Sequence, residues 1–221
     1  MFTGIIEEVG TISRLIERDG TRRMTVSSTE LVKQLKQGGS IAVSGVCLTA
    51  VEISSSSFRT DLATETWNRT SFSRIHEGAL VNLELPMRAD GRFDGHIVQG
   101  HVDGTGKFLG LERIPGADDY WMHIELPAEL QRYTIFKGSL AVEGISLTVA
   151  NIESSKVTIA LIPHTWEMTN LKSLKPGDLI NLEVDMVAKY VEKMLGLRGE
   201  SARAGTSNTE LTIKELVKQG F

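Results

Sequence analysis

Few side chains in this chain could do chemistry near neutral pH. It has one cysteine, Cys47, and five histidines. A lone cysteine excludes an intrachain disulfide and a cysteine-rich metal site. His96 and His101 are five residues apart. On an extended strand that odd spacing places them on opposite faces, which makes a poor metal pair. Asp103-Gly-Thr-Gly-Lys107 has the composition of a phosphate loop, but its glycine spacing is wrong and Phe108 stands where Ser or Thr is required. There is no Gly-x-Ser-x-Gly elbow. Metal, nucleotide-loop and hydrolase chemistry find no support.

What positions the remaining candidates is an internal repeat. Gly39-Ser-Ile-Ala-Val-Ser-Gly-Val-Cys-Leu-Thr49 aligns with Gly138-Ser-Leu-Ala-Val-Glu-Gly-Ile-Ser-Leu-Thr148 at an offset of 99. The same offset of 99 pairs Gly78–Met87 with Gly177–Met186, and Leu62–Trp67 with Leu161–Trp166. Near the start of each copy, Thr3-Gly4-Ile5-Ile6-Glu7 corresponds to Gln99-Gly100-His101-Val102-Asp103 at an offset of 96. The copies meet near residues 88–97, where Arg88-Ala-Asp-Gly-Arg92 reads as a polar linker.

Each copy is mostly β. Short β-branched runs such as Ser40–Ser44, Leu48–Ile53, Val157–Leu161 and Leu179–Val184 are separated by glycine turns. Each copy has one helix candidate, Ser28–Leu35 and Pro127–Arg132, opened by Ser/Thr or by Pro. Several short strands in each copy suggest a small closed barrel, which leaves no strand edge exposed. We therefore expect an all-β chain with barrels over residues 1–95 and 96–186. A C-terminal helix over 187–199 and a variable tail over 200–221 follow. Val187, Tyr190, Val191, Met194 and Leu195 give that helix an apolar stripe at helical spacing. Thr209–Gln219 reads as a last short helix.

Positions where the copies agree include Gly4/Gly100, Gly45/Gly144, Thr49/Thr148, Thr66/Thr165 and Trp67/Trp166. Glycines serve turns and matched tryptophans read first as core. The differences carry more information: Cys47 faces Ser146, Ile5 faces His101, Glu65 faces His164, and Ser44 faces Glu143. Two pockets that treat their ligands differently would need such asymmetry.

The formal net charge of −4 and the lack of a Lys/Arg run argue against nucleic acid. No stretch approaches membrane-spanning length, and the opening segment lacks the regions of a secretion signal. A soluble, cytoplasmic protein is expected. The Asn68-Arg69-Thr70 sequon then has no role.

These residues resemble the riboflavin synthase family. The likeness rests on Met1-Phe2-Thr3-Gly4-Ile5, Gly45-x-Cys-Leu-Thr49, Gly95-His-x-x-x-Gly-His101, Gly144-Ile-Ser-Leu-Thr148 and Leu161-Ile-Pro-x-Thr165. It covers residues 1 to about 197. The resemblance implies two tandem six-stranded Greek-key barrels and a homotrimer held partly by the C-terminal helix. Its sites would lie between subunits. It also implies a cofactor-independent transferase. Two molecules of 6,7-dimethyl-8-ribityllumazine would bind, one per barrel. One would give a four-carbon unit to the other, yielding riboflavin and 5-amino-6-(ribitylamino)uracil. Association with lumazine synthase is a further partner of this kind.

Carried over residue by residue, the resemblance implies a first pocket lined by Gly4, Ile5, Ile6, Cys47, Leu48, Thr49, Asp61, Leu62, Ala63, Thr64, Glu65 and Thr66. The second would be lined by Gly100, His101, Val102, Lys137, Ser146, Leu147, Thr148, Ile162, Pro163, His164 and Thr165. His101 would assist proton transfer, and Cys47 or Ser146 would help activate a nucleophile. Phe2 would help close the site, and Lys137 and Asp185 would shape its field. The alternative is a non-catalytic lumazine- or flavin-binding protein that uses one barrel only. A reductase flavin domain would need a nicotinamide domain that this length excludes.

Overall fold

The computed structural model describes residues 1–18 and 20–204. The expected helix over Thr209–Gln219 lies outside them.

The first copy folds into β1 (Glu8–Arg18), β2 (Thr21–Ser27), β3 (Ser40–Val43), β4 (Val46–Thr49), β5 (Glu52–Ile53), β6 (Ser57–Leu62) and β7 (Leu80–Glu84), with helix α1 (Thr64–Arg69) between β6 and β7. The second contributes β8 (Gly104–Arg113), β9 (Tyr120–Glu125), α2 (Ala128–Gln131), β10 (Ser139–Val142), β11 (Ile145–Glu153), β12 (Lys156–Leu161), α3 (Pro163–Glu167) and β13 (Leu179–Val184). The second sheet closes as β10-β11-β12-β9-β8-β13. The first, expected to close as well, is a seven-stranded half-barrel in the order β4-β3-β7-β1-β2-β6-β5, the same strand order opened where the β11 equivalent is broken into β4 and β5.

Strand alternation builds each core. Along β12, Val157, Ile159 and Leu161 point inward and join Phe108, Met122, Ile124, Leu140 and Leu147. In the first barrel, Ile12, Met24, Val26, Ile41, Leu48, Phe58 and Leu83 do the same. Trp67 and Trp166 pack partly buried against these cores, as matched core tryptophans should.

The expected helix over Ser28–Leu35 shrinks to a single 3-10 turn at Leu31–Lys33. The Glu8 carboxylate accepts the N–H groups of Thr29, Glu30 and Leu31, which ties this segment to β1. Conversely α1 and α3 were not expected, because five or six residues are too few to show a helical period.

The barrels meet through their β3–β4 and β10–β11 turns. Ser44-Gly45 and Glu143-Gly144 have positive φ at both positions, 44° and 78° in one, 50° and 81° in the other. This is the backbone of a tight two-residue hairpin. The turns abut, so a Cβ on either glycine would lie 2.7 Å from the other's amide nitrogen. Around them Asn82 donates to the Glu143 carbonyl at 2.9 Å, and Asn181 donates to the Ser44 carbonyl at 2.9 Å. That mirrored pair marks a local two-fold axis. Phe2, fully buried with Ala42, Val98 and Ala141, fills the same junction.

The compact unit Met1–Met186 holds both barrels, and a second unit begins at Val187. Helix α4 spans Met186–Ala204, longer than the expected 187–199. Its Val187, Tyr190, Val191, Met194 and Leu195 are 48–67% exposed. Among the described residues no helix is long and apolar enough to cross a membrane.

Candidate functional site

Cys47, Thr49, Ser146 and Thr148 lie on the outer faces of β4 and β11, because Leu48 and Leu147 between them turn into the cores. The expected lining role of Leu48, Leu147 and the likewise buried Leu62 can therefore fall only to their backbones. Asp61 is the penultimate residue of β6 and is exposed, Ala63 caps α1, and Thr64, Glu65 and Thr66 begin that helix. Ile162 caps α3, with Pro163, His164 and Thr165 in its first turn. Each barrel thus presents an outer strand face and a short helix as the expected lining of its groove.

The structure corrects how the sequence grouped the arms. Gly4-Ile5-Ile6 was expected beside Cys47, yet the Gly4 carbonyl accepts the Ser146 N–H at 2.8 Å. Ile6 packs against the second barrel's core. Gly100-His101-Val102 was expected beside Ser146, yet the Gly100 carbonyl accepts the Cys47 N–H at 2.9 Å, and Val102 packs against the first barrel's core. Each arm crosses the junction and lies on the other barrel. Glycine is required at both crossings. Gly4 and Gly100 have φ of +79° and +81°, and a Cβ there would lie 2.6 Å from Ser146 Cβ and 2.5 Å from Cys47 Cβ.

Two buried carboxylates hold the arms. Glu84 accepts the N–H and hydroxyl of Thr3 at 2.6 and 2.8 Å and the N–H of Gly4 at 3.0 Å. Glu183 accepts the N–H groups of Gln99, Gly100 and His101 at 2.7, 3.0 and 3.1 Å. Burial raises the Glu84 carboxyl above the ordinary carboxylate range, against the pull of the hydrogen bonds from Thr3 and Gly4.

His96 was set aside in the sequence as half of a poor metal pair. Its Nδ1 lies 2.7 Å from Ser146 Oγ, and the residue is 7% exposed. Among the described residues its buried Nε2 finds no hydrogen-bond partner. Burial pushes the imidazole below its usual range, and Asp185 pulls it partly back. A neutral imidazole touching a serine hydroxyl can accept its proton. Among the described residues no imidazole is hydrogen-bonded to the Cys47 side chain. The expected asymmetry between Cys47 and Ser146 thus extends to what serves each.

His101 is exposed at the end of its arm, on the Cys47 side. Lys137 donates its N–H to the Val149 carbonyl, one residue from Thr148, and holds Nζ 5.2 Å from the Phe136 ring. Phe2, expected to close the site, is buried in the barrel junction instead. A depression of about 790 Å³ lies beside Ile5, with Lys36, Ser40, Glu84 and Arg92 on its walls. Of the expected lining residues it reaches Ile5 alone. Among the described residues no cluster of His, Cys, Asp or Glu is arranged to hold a metal ion.

Two matched β units that exchange arms define a tandem-repeat β-barrel protein, and comparison with known proteins names its family. The lumazine binding domain model matches residues 3–86 and again 99–185, so the chain belongs to the lumazine-binding domain family. Riboflavin synthase of Actinobacillus pleuropneumoniae is 44% identical over 195 residues, 88% of this chain and 90% of that one. Riboflavin synthase of Bacillus subtilis (strain 168) is 37% identical over 223 residues, covering all of both chains. That of Mycobacterium tuberculosis (strain H37Rv) is 41% identical over 205 residues, 90% of this chain and 100% of that one. Among solved structures, LumP complexed with riboflavin superposes with a TM-score of 0.76 at 24% identity, covering 83% of this chain and 99% of that one. This likeness shows the shared fold.

Proposed function

We propose that this protein is a riboflavin synthase. Two 6,7-dimethyl-8-ribityllumazine molecules bind, one per groove, and a four-carbon unit passes between them. The products are riboflavin and 5-amino-6-(ribitylamino)uracil, which makes the enzyme a transferase. The observation that carries this reading is the pair of equivalent outer strand positions with unequal chemistry, a thiol in one and a histidine-paired serine in the other. Identical substrates fit equivalent grooves, and distinct donor and acceptor roles need unequal groups.

The lumazine 7-methyl group is acidic because its anion delocalises into the ring, so proximity and a well-placed base supply most of the catalysis. His101 takes the role of assisting proton transfer. Ser146, with His96 as proton acceptor, is the better of the two nucleophile-activating candidates, and Cys47 is the other. Ile5 and Ile162, both on the expected lining, are exposed, which fits a homotrimer in which a neighbouring subunit covers each groove. The exposed stripe on α4 is the surface available for that contact. We assign the protein to the cytoplasm and retain lumazine synthase as a partner.

Incubating the purified protein with the lumazine alone, and following riboflavin absorbance, tests the proposal. Riboflavin should form without any added cofactor. Folded protein that binds the lumazine and yields no riboflavin would overturn it in favour of a binding protein.

A further inference from the structure

We propose that Glu84 and Glu183 are crossed positioning residues: each belongs to one barrel and sets the groove of the other. The inference takes the two grooves as the ligand sites, and its test needs no ligand.

Glu183 is the penultimate residue of β13, a strand of the second barrel. Its carboxylate gathers three consecutive backbone N–H groups, from Gln99, Gly100 and His101. Converging amides of this kind suit an acceptor-only group. The arm so held passes its Gly100 carbonyl to the N–H of Cys47, in the first barrel. Two hydrogen bonds therefore lead from Glu183 across the junction to Cys47. Glu84 closes β7 of the first barrel and mirrors this. It holds Thr3 and Gly4, and the Gly4 carbonyl meets the N–H of Ser146 in the second barrel.

Both glutamates are nearly enclosed, 4% and 3% exposed, at the ends of strands that are otherwise apolar or amide. Each carboxylate bonds the arm that leads into its own barrel, Thr3-Gly4 for Glu84 and Gln99–His101 for Glu183. These two bond arms whose far sides complete the opposite groove. Weakening Glu183 should loosen the Cys47 groove, and weakening Glu84 should loosen the Ser146 groove.

Cys47 is the sole cysteine, so its reaction with an aromatic disulfide reagent reports on the first groove alone. In the full-length protein, Glu183→Gln should speed Cys47 labelling by about tenfold or more, the scale of a lost charged hydrogen bond. Glu84→Gln should leave the rate within about twofold, since it touches the other arm. In a Cys47→Ser, Ser146→Cys background the order should reverse. Thermal unfolding verifies that each variant is folded. Should Glu183→Gln not fold, Glu183→Asp, which keeps the charge and shortens the reach, takes its place. Acceleration in the variant's own barrel, equal acceleration in both grooves, or none in either would overturn the proposal. Failure of the synthase reading would leave this result standing, because labelling involves no substrate.

Discussion

His96 Nδ1 lies 2.7 Å from Ser146 Oγ, joining the arm between the barrels to the outer face of β11. Among the described residues no imidazole pairs with Cys47 in this way. It is the sharpest chemical difference between the two grooves, and the first prediction rests on it.

Ser146→Ala and His96→Gln should each lower kcat by about 10²-fold, the lower end of what a positioned acid–base group supplies. Because burial holds His96 below the usual imidazole range, the acid limb of kcat/KM should lie below that range and flatten in His96→Gln. The stability effect has a definite sign. The unfolded chain binds this proton more readily than the native one. Stability is therefore full above the ordinary imidazole pKa and declines as pH falls through it towards the folded value. Rate profiles and denaturant melts across that window measure both.

His101 is exposed, so His101→Ala should leave Tm unchanged while kcat falls by about tenfold or more. An unchanged kcat would remove His101 from proton transfer.

Gly100→Ala should cost about 2 kcal/mol or more. The left-handed backbone alone costs an L-residue about 1–2 kcal/mol, and the new Cβ would strike Cys47. Urea denaturation gives the stability loss. The same variant should label faster at Cys47.

Glu143 concerns the junction, away from the grooves. Its carboxyl is fully enclosed, accepts from the Asn181 N–H at 2.7 Å and from the Asn170 side-chain amide at 2.8 Å, and is raised in pKa by burial. The native state thus holds this proton more tightly than the unfolded chain. Stability should fall as pH rises from the ordinary carboxylate value towards the folded one. Glu143→Gln, which has no proton to lose, should flatten that slope in melts between acid and neutral pH. Glu143→Ala leaves the Asn181 and Asn170 donors unmet and should cost about 1–3 kcal/mol at acid pH, where the wild-type carboxyl is protonated.

Much of this architecture is legible in the repeat. Matched blocks at one offset locate the hairpins, the short connecting segments and the asymmetric pair Cys47/Ser146. The crossing of the arms is not legible, because alignment places Gly4 with Cys47 and Gly100 with Ser146, each in its own copy. Only a contact spanning more than 140 residues, Gly4 to Ser146, reveals the exchange. Glu84 and Glu183 did carry a signal: an acid at the same place in both copies of a buried strand is costly unless bonded. His96 carried none, since no spacing rule connects it to a serine fifty residues on.

Two barrels that meet through matching turns and trade arms have the geometry of an isologous, domain-swapped dimer written into one polypeptide. In a dimer of identical chains, every substitution would appear on both sides of the axis. Fusion lifts that constraint. Ser44 can face Glu143, and Cys47 can diverge from Ser146, without either partner being forced to match. The linker near residues 88–97 does more than connect the barrels: it allows a symmetric scaffold to hold an asymmetric reaction.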